Sequence, residues 1–80
     1  MNKLTEIIEW LGVVLILLAY AAISFEILFP QNIFYQLMNL LGALGIMYGA
    51  YTKKDYQPVV LNLVWFLIAL IAIINMIFLF

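Results

Sequence analysis

The run from Val59 to Phe80, VVLNLVWFLIALIAIINMIFLF, holds no charged residue, and its carboxamides are limited to Asn62 and Asn75. It is as long as the ~20 residues that a helix needs to cross a ~30 Å hydrocarbon layer. Two earlier runs, Ile7 to Leu28 and Ile33 to Tyr51, repeat the pattern at similar length. Together they predict an all-α membrane protein, a three-transmembrane-helix bundle with helices over about 6–28, 32–51 and 57–80. Residues 1–80 then form a single integral membrane domain, and function is left to helix faces and two short loops.

Composition narrows the classes further. The chain is 70% hydrophobic and 9% charged, with a mean hydropathy of +1.25, which argues against both disorder and a water-soluble bundle. There is no cysteine and no histidine, so neither disulfide chemistry nor histidine ligation of a metal is expected. A formal net charge of -1 offers no basic patch, and nucleic acid is not an expected partner. No Gly-rich phosphate loop, no nucleophile elbow and no intramembrane pair of carboxylates on one face is present, and Ser24 and Thr52 have no histidine to activate them. The expectation is a protein that is not an enzyme, takes no cofactor, and has the lipid bilayer as its first partner.

The N-terminus has the outline of a secretory signal, with Lys3 before an apolar run that reaches Ala19-Tyr20-Ala21. Glu6 and Glu9 stand where such a signal is positive, and the apolar run continues past the small residues, so retention is expected. Thr5 is the expected N-cap of helix one, and the dipole at that end favours Glu6 and Glu9. Phe29-Pro30-Gln31-Asn32 is expected to stop helix one and turn the chain into an antiparallel hairpin. The second loop is Thr52-Lys53-Lys54-Asp55, with Asp55 placed to cap helix three and Pro58 in its first turn. Three crossings put the N-terminus and the second loop on one side, and that side holds Lys3, Lys53 and Lys54. The positive-inside rule then predicts a cytoplasmic N-terminus and an outside C-terminus, with the terminal carboxylate at the outer interface or against a partner.

Helical arithmetic sorts the small and polar residues onto faces. On helix two, Tyr35, Asn39, Gly42, Gly45, Ile46 and Gly49 fall within roughly a third of the circumference. Gly45 and Gly49 form a GxxxG pair that Gly42 extends; such a face lets another helix approach closely, whether from the same chain or from a second one. Gly12, Ala19, Ala22 and Glu26 share a face of helix one. Glu26 reads either as an acid anchored at the interface by the open amides of helix two or as a proton or cation site. Helix three carries Pro58, Asn62, Trp65, Ala69, Ala72 and Met76 along one stripe. Asn62 either bonds across to another helix or lines a polar path with Trp65. Gln36 and Asn39 lie towards the first-loop side, and Asn75 points away from the Asn62 stripe, towards the first loop or another chain.

Three segments carry a resemblance. They are Leu11-Gly12 with the apolar run to Ala19-Tyr20-Ala21, then Tyr35-Gln36-Leu37-Met38-Asn39-Leu40-Leu41-Gly42, and then Gln57-Pro58-Val59-Val60-Leu61-Asn62-Leu63-Val64-Trp65. Over essentially the whole chain they resemble the CBU-like domain, a family of small uncharacterised bacterial three-span proteins. That resemblance implies a bacterial inner-membrane location and no assigned activity. A more distant likeness is to the SemiSWEET half-transporters, carried by the three-span length, by Tyr48-Gly49 late in helix two, and by Pro58 shortly before Asn62. In those carriers a Pro-Gln pair lies within the first helix, whereas Pro30-Gln31 follows it here. The expected function is a non-enzymatic membrane protein acting through helix packing at Gly12, Asn39, Gly42, Gly45, Gly49 and Asn62, either as a homo-oligomer or as an accessory subunit. The alternative, implied by the second likeness, is a dimeric carrier of a small neutral solute with Asn62 and Trp65 on its path.

Overall fold

A computed structural model describes residues 2–78 as three helices joined by two turns: α1, Lys3–Ser24; α2, Ile33–Thr52; and α3, Tyr56–Phe78. They hold 22, 20 and 23 residues, about 30 to 35 Å each at 1.5 Å per residue. Each is long and apolar enough to cross a membrane. The expected extension of helix three to Leu79 and Phe80 lies outside the described residues.

The helices form an open layer rather than a closed triangle. α2 packs against α1 on one face and against α3 on another, and among the described residues α1 and α3 do not meet. The result is a slab of 41 × 25 × 18 Å. Its interior is made of small residues: Thr5, Gly12 and Ala19 on α1, Gly42, Ala43, Gly49 and Ala50 on α2, and Ala69 beside Asn62 on α3. Buried positions recur seven apart, as in Thr5-Gly12-Ala19, Gly42-Gly49, Ala43-Ala50 and Asn62-Ala69. This spacing belongs to antiparallel helices crossing at the shallow left-handed angle common in membrane bundles. No large side chain is fully buried among the described residues, and Trp10, Leu17, Tyr20, Phe34, Ile68 and Phe78 all face outward. A soluble protein of this mass exposes about 4,900 Å², whereas this chain exposes 5681 Å². Large groups outside and glycine and alanine inside suit lipid, where close backbone contact rather than apolar burial holds helices together.

The helix ends depart from the sequence expectation in two places. Asn2, not Thr5, caps α1: its side-chain oxygen accepts from the Thr5 backbone N–H at 2.8 Å and from the Thr5 hydroxyl at 2.8 Å. Thr5 is consequently one turn inside the helix and buried. At the other end, α1 stops at Ser24 rather than Leu28. The Glu26 N–H bonds to the Ile23 carbonyl and the Ile27 N–H to the Ala22 carbonyl, with Glu26 at φ 60°. This is a Schellman cap. The same cap closes α2, where the Lys54 N–H bonds to Tyr51, the Asp55 N–H to Ala50, and Lys54 has φ 60°. Asp55 thus ends α2 through its backbone, and among the described residues its carboxylate makes no hydrogen bond to the amides opening α3.

Both caps place a residue with a Cβ in the left-handed region, at a cost of roughly 1–2 kcal/mol that glycine avoids. Glu26→Gly and Lys54→Gly are each expected to raise the free energy of unfolding in bicelles by about 1 kcal/mol. A destabilisation on either substitution would rule out the left-handed caps.

Candidate functional site

The glycine face of α2 is occupied by α1 of the same chain. A Cβ built on Gly12 would lie 2.5 Å from the Gly42 carbonyl oxygen and 2.9 Å from the Ile46 nitrogen. One on Gly45 would lie 2.9 Å from the Ile8 carbonyl oxygen, and one on Gly49 would lie 2.5 Å from Glu9 Cβ. The two backbones therefore touch at Gly12, Gly42 and Gly45, and at Gly49 the backbone of α2 meets the Glu9 side chain. Gly49 leaves room for the Glu9 side chain to cross α2, and its carboxylate pairs with Lys53 Nζ at 3.0 Å. Glu9 thereby ties the start of α1 to the end of α2, a link that reading helix one alone as a dipole-favoured acid did not reveal.

Asn39 does not belong to that glycine seam. At 100° per residue, Asn39, Ala43 and Ala50 fall within about 40° of one another, roughly 100° round the helix from Gly42, Gly45 and Gly49. The expected single stripe on helix two is thus two faces, one for each neighbour. Asn39 is 5% exposed, and its Oδ1 accepts a hydrogen bond from Trp65 Nε1 at 3.3 Å, the one side-chain bond between α2 and α3 among the described residues. Asn62, one turn below Trp65, is 6% exposed and spends its amide on its own helix, donating from Nδ2 to the Pro58 carbonyl at 2.9 Å. Among the described residues Asn62 makes no bond to another helix.

On the first-loop side of the Asn39–Trp65 bridge lies a cleft of about 320 Å³, lined by Pro30, Tyr35, Gln36, Asn39, Trp65, Ile68 and Ala69. Pro30 and Gln36 also border a second cleft with Gln31, Ala72, Asn75 and Met76, so the groove continues to the first-loop end of the bundle. Asn75 is exposed and faces that loop region. The turn at Pro30 is held by the Asn32 N–H on the Phe29 carbonyl at 2.8 Å and by Gln36 Nε2, which donates to the Pro30 carbonyl at 2.9 Å. Asn32 caps α2, accepting from the Phe34 N–H at 2.8 Å. Helical spacing alone brings Gln36 near Asn39; that α3 supplies Trp65 to the same place required the packing.

Glu26 falls outside this site. Because α1 ends at Ser24, Glu26 leaves the face of Gly12, Ala19 and Ala22 and projects, exposed, from the turn. Among the described residues its carboxylate makes no hydrogen bond or ion pair, and no group of three or more acidic side chains is placed to hold a metal.

Three apolar helices in series, joined by tight turns and packed through glycine and alanine, define a small polytopic protein of the membrane-spanning class. A family model matches residues 5–78, and the chain belongs to that family, an uncharacterised one, in keeping with the CBU-like segments. No curated protein and no solved structure matches the chain, so the SemiSWEET likeness rests on sequence features alone.

Proposed function

We propose that this is a non-enzymatic integral membrane protein that acts by lateral helix contact, as a homo-oligomer or as an accessory subunit of a larger complex. In this reading it sits in the bacterial inner membrane with its N-terminus in the cytoplasm, since Lys3, Lys53 and Lys54 share one end of the bundle. The observation that carries the proposal is the state of Asn62. A solute path needs that amide free in a wet cavity; it is instead 6% exposed, its nitrogen is committed to the Pro58 carbonyl, and it lines neither of the two clefts described above. The open layer adds support, because α1 and α3 each retain flanks that no part of the described chain covers.

Native mass measurement after mild-detergent extraction tests the proposal directly. A defined homo-oligomer or a stable co-purifying membrane complex is the expected result. Asn62→Leu separates this reading from the carrier: assembly is expected to survive with stability changed by about 1 kcal/mol or less, the size of one local hydrogen bond. Uptake of a small neutral solute by wild-type proteoliposomes that disappears in Asn62→Leu would establish the carrier instead.

A further inference from the structure

We infer that the hollow side of the three-helix layer seats one membrane-spanning helix of another protein, with lysine or arginine at its cytoplasmic flank. This deepens the accessory-subunit reading above and rests on it. α2 meets α1 and α3 along lines about 100° apart round its axis, so the layer is bent at α2 rather than flat. With packed helices about 8–10 Å apart, the axes of α1 and α3 then stand roughly 14 Å from each other, in keeping with their lack of contact among the described residues. A fourth helix, about 10 Å across, fits between them, lies against both and completes a four-helix bundle.

On α2, the strip between the two seams carries Tyr35, Ile46 and Lys53, within about 20° of one another. Tyr35 lines the 320 Å³ cleft with Trp65 and Ile68 of α3. Lys53 lines another at the opposite end, of about 330 Å³, with Glu6, Glu9 and Val13 of α1. One hollow therefore follows α2 from the first-loop end to the second-loop end. From Tyr35 to Lys53 it extends about 27 Å, close to the full ~30 Å of the hydrocarbon layer. A lipid occupies a single leaflet, whereas a spanning helix fills both.

The charge at one end says which helix fits. Glu6 and Glu9 stand there against Lys53 alone. Glu9 is spent on Lys53 at 3.0 Å, and among the described residues Glu6, which is exposed, makes no ion pair. Lys3 borders Glu6 from the outer flank of α1, in a cleft that α2 does not line. The hollow thus keeps one negative charge at the end that the lysines mark as cytoplasmic. Lysine and arginine gather at the cytoplasmic flanks of spanning helices, so a foreign helix brings the matching charge to that level. This chain's own helices do not. A second α1 would set Glu6 and Glu9 against their copies, α3 opens on Asp55-Tyr56-Gln57, and α2, held on two sides, enters only as an open-ended stack.

Photo-crosslinking of the full chain in its native cells provides the test. Benzoylphenylalanine is placed at Val13 or Ile68, in the hollow, and at Leu18 or Ile71, which are exposed and line neither of its clefts. The expected result is one foreign polypeptide captured from both Val13 and Ile68 and from neither outer position, with the adduct mapped to an apolar span whose cytoplasmic flank carries lysine or arginine. Glu6→Lys is expected to lower that yield about fivefold, the scale of one exposed ion pair. Exchange of the partner's cation for glutamate should restore it. Capture of a second copy of this chain, or of another protein from Leu18 and Ile71 alone, overturns the inference and leaves lateral contact standing. Lipid adducts at all four positions overturn both.

Discussion

Gly12→Ala is expected to cost about 3 kcal/mol of stability, at the upper end of what overpacking does. The added methyl would sit 2.5 Å from the Gly42 carbonyl oxygen and 2.9 Å from the Ile46 nitrogen. Both are backbone atoms of α2, so no rotamer change relieves the clash, and α1 must move away as a body. Every other contact of the seam, from Ile8 on Gly45 to Glu9 on Gly49, loosens with it. Since lipid competes for apolar groups as well as protein does, nothing compensates for the lost approach. The chain contains no cysteine, so a pair introduced on α1 and α2 can be spin-labelled without background. The α1–α2 distance should lengthen in Gly12→Ala. In contrast, Leu11→Ala, at a position 58% exposed, should change stability by about 0.5 kcal/mol or less. Equal stability of Gly12→Ala and the parent would mean that the two backbones do not meet at Gly12.

Ala50→Leu should have the next largest effect, about 2 kcal/mol, on the other seam. Ala43 and Ala50 are fully enclosed on the face of α2 that carries Asn39, and that face meets α3 through Trp65. A leucine at either position has no space to enter, so α3 must withdraw and the Asn39–Trp65 bond lengthens or breaks. The same label pair placed on α2 and α3 reads this movement, while the α1–α2 distance should hold. Because α1 and α3 do not meet, the effects of Gly12→Ala and Ala50→Leu should add to within about 0.5 kcal/mol. Strong coupling between them would require a contact between the outer helices that the open layer does not contain.

Much of this architecture is written in the chain at the level of composition and period. Val59 to Phe80 can be little but an apolar helix, and the small residues announce a helix contact before its partner is known. Gly12, Gly42, Gly45 and Gly49 were legible as packing residues for that reason, although their mutual arrangement was not. Helix ends were less legible. Phe25 to Phe29 is apolar but for Glu26, and apolarity alone continues helix one through it, whereas the backbone closes a Schellman cap four residues earlier. Glu26 changed meaning with that boundary, from a residue on a packed face to an exposed group in a turn. Lys54 gave no warning either, because a left-handed cap without glycine leaves little trace in sequence.

The sequence by itself determined that the chain is three apolar helices meant for lipid, because span length and hydropathy are sums over many residues and tolerate local error. Only the tertiary structure decided which faces meet. Asn39 and Gly42 are neighbours on a helical wheel, yet one serves α3 and the other α1, since a middle helix divides its surface between two partners. Asn62 and Asn39 are the same kind of group in similar apolar company, yet one closes on its own helix and the other reaches across to Trp65. A carboxamide takes whichever partner geometry brings within about 3 Å, and that distance is a property of the packed helices.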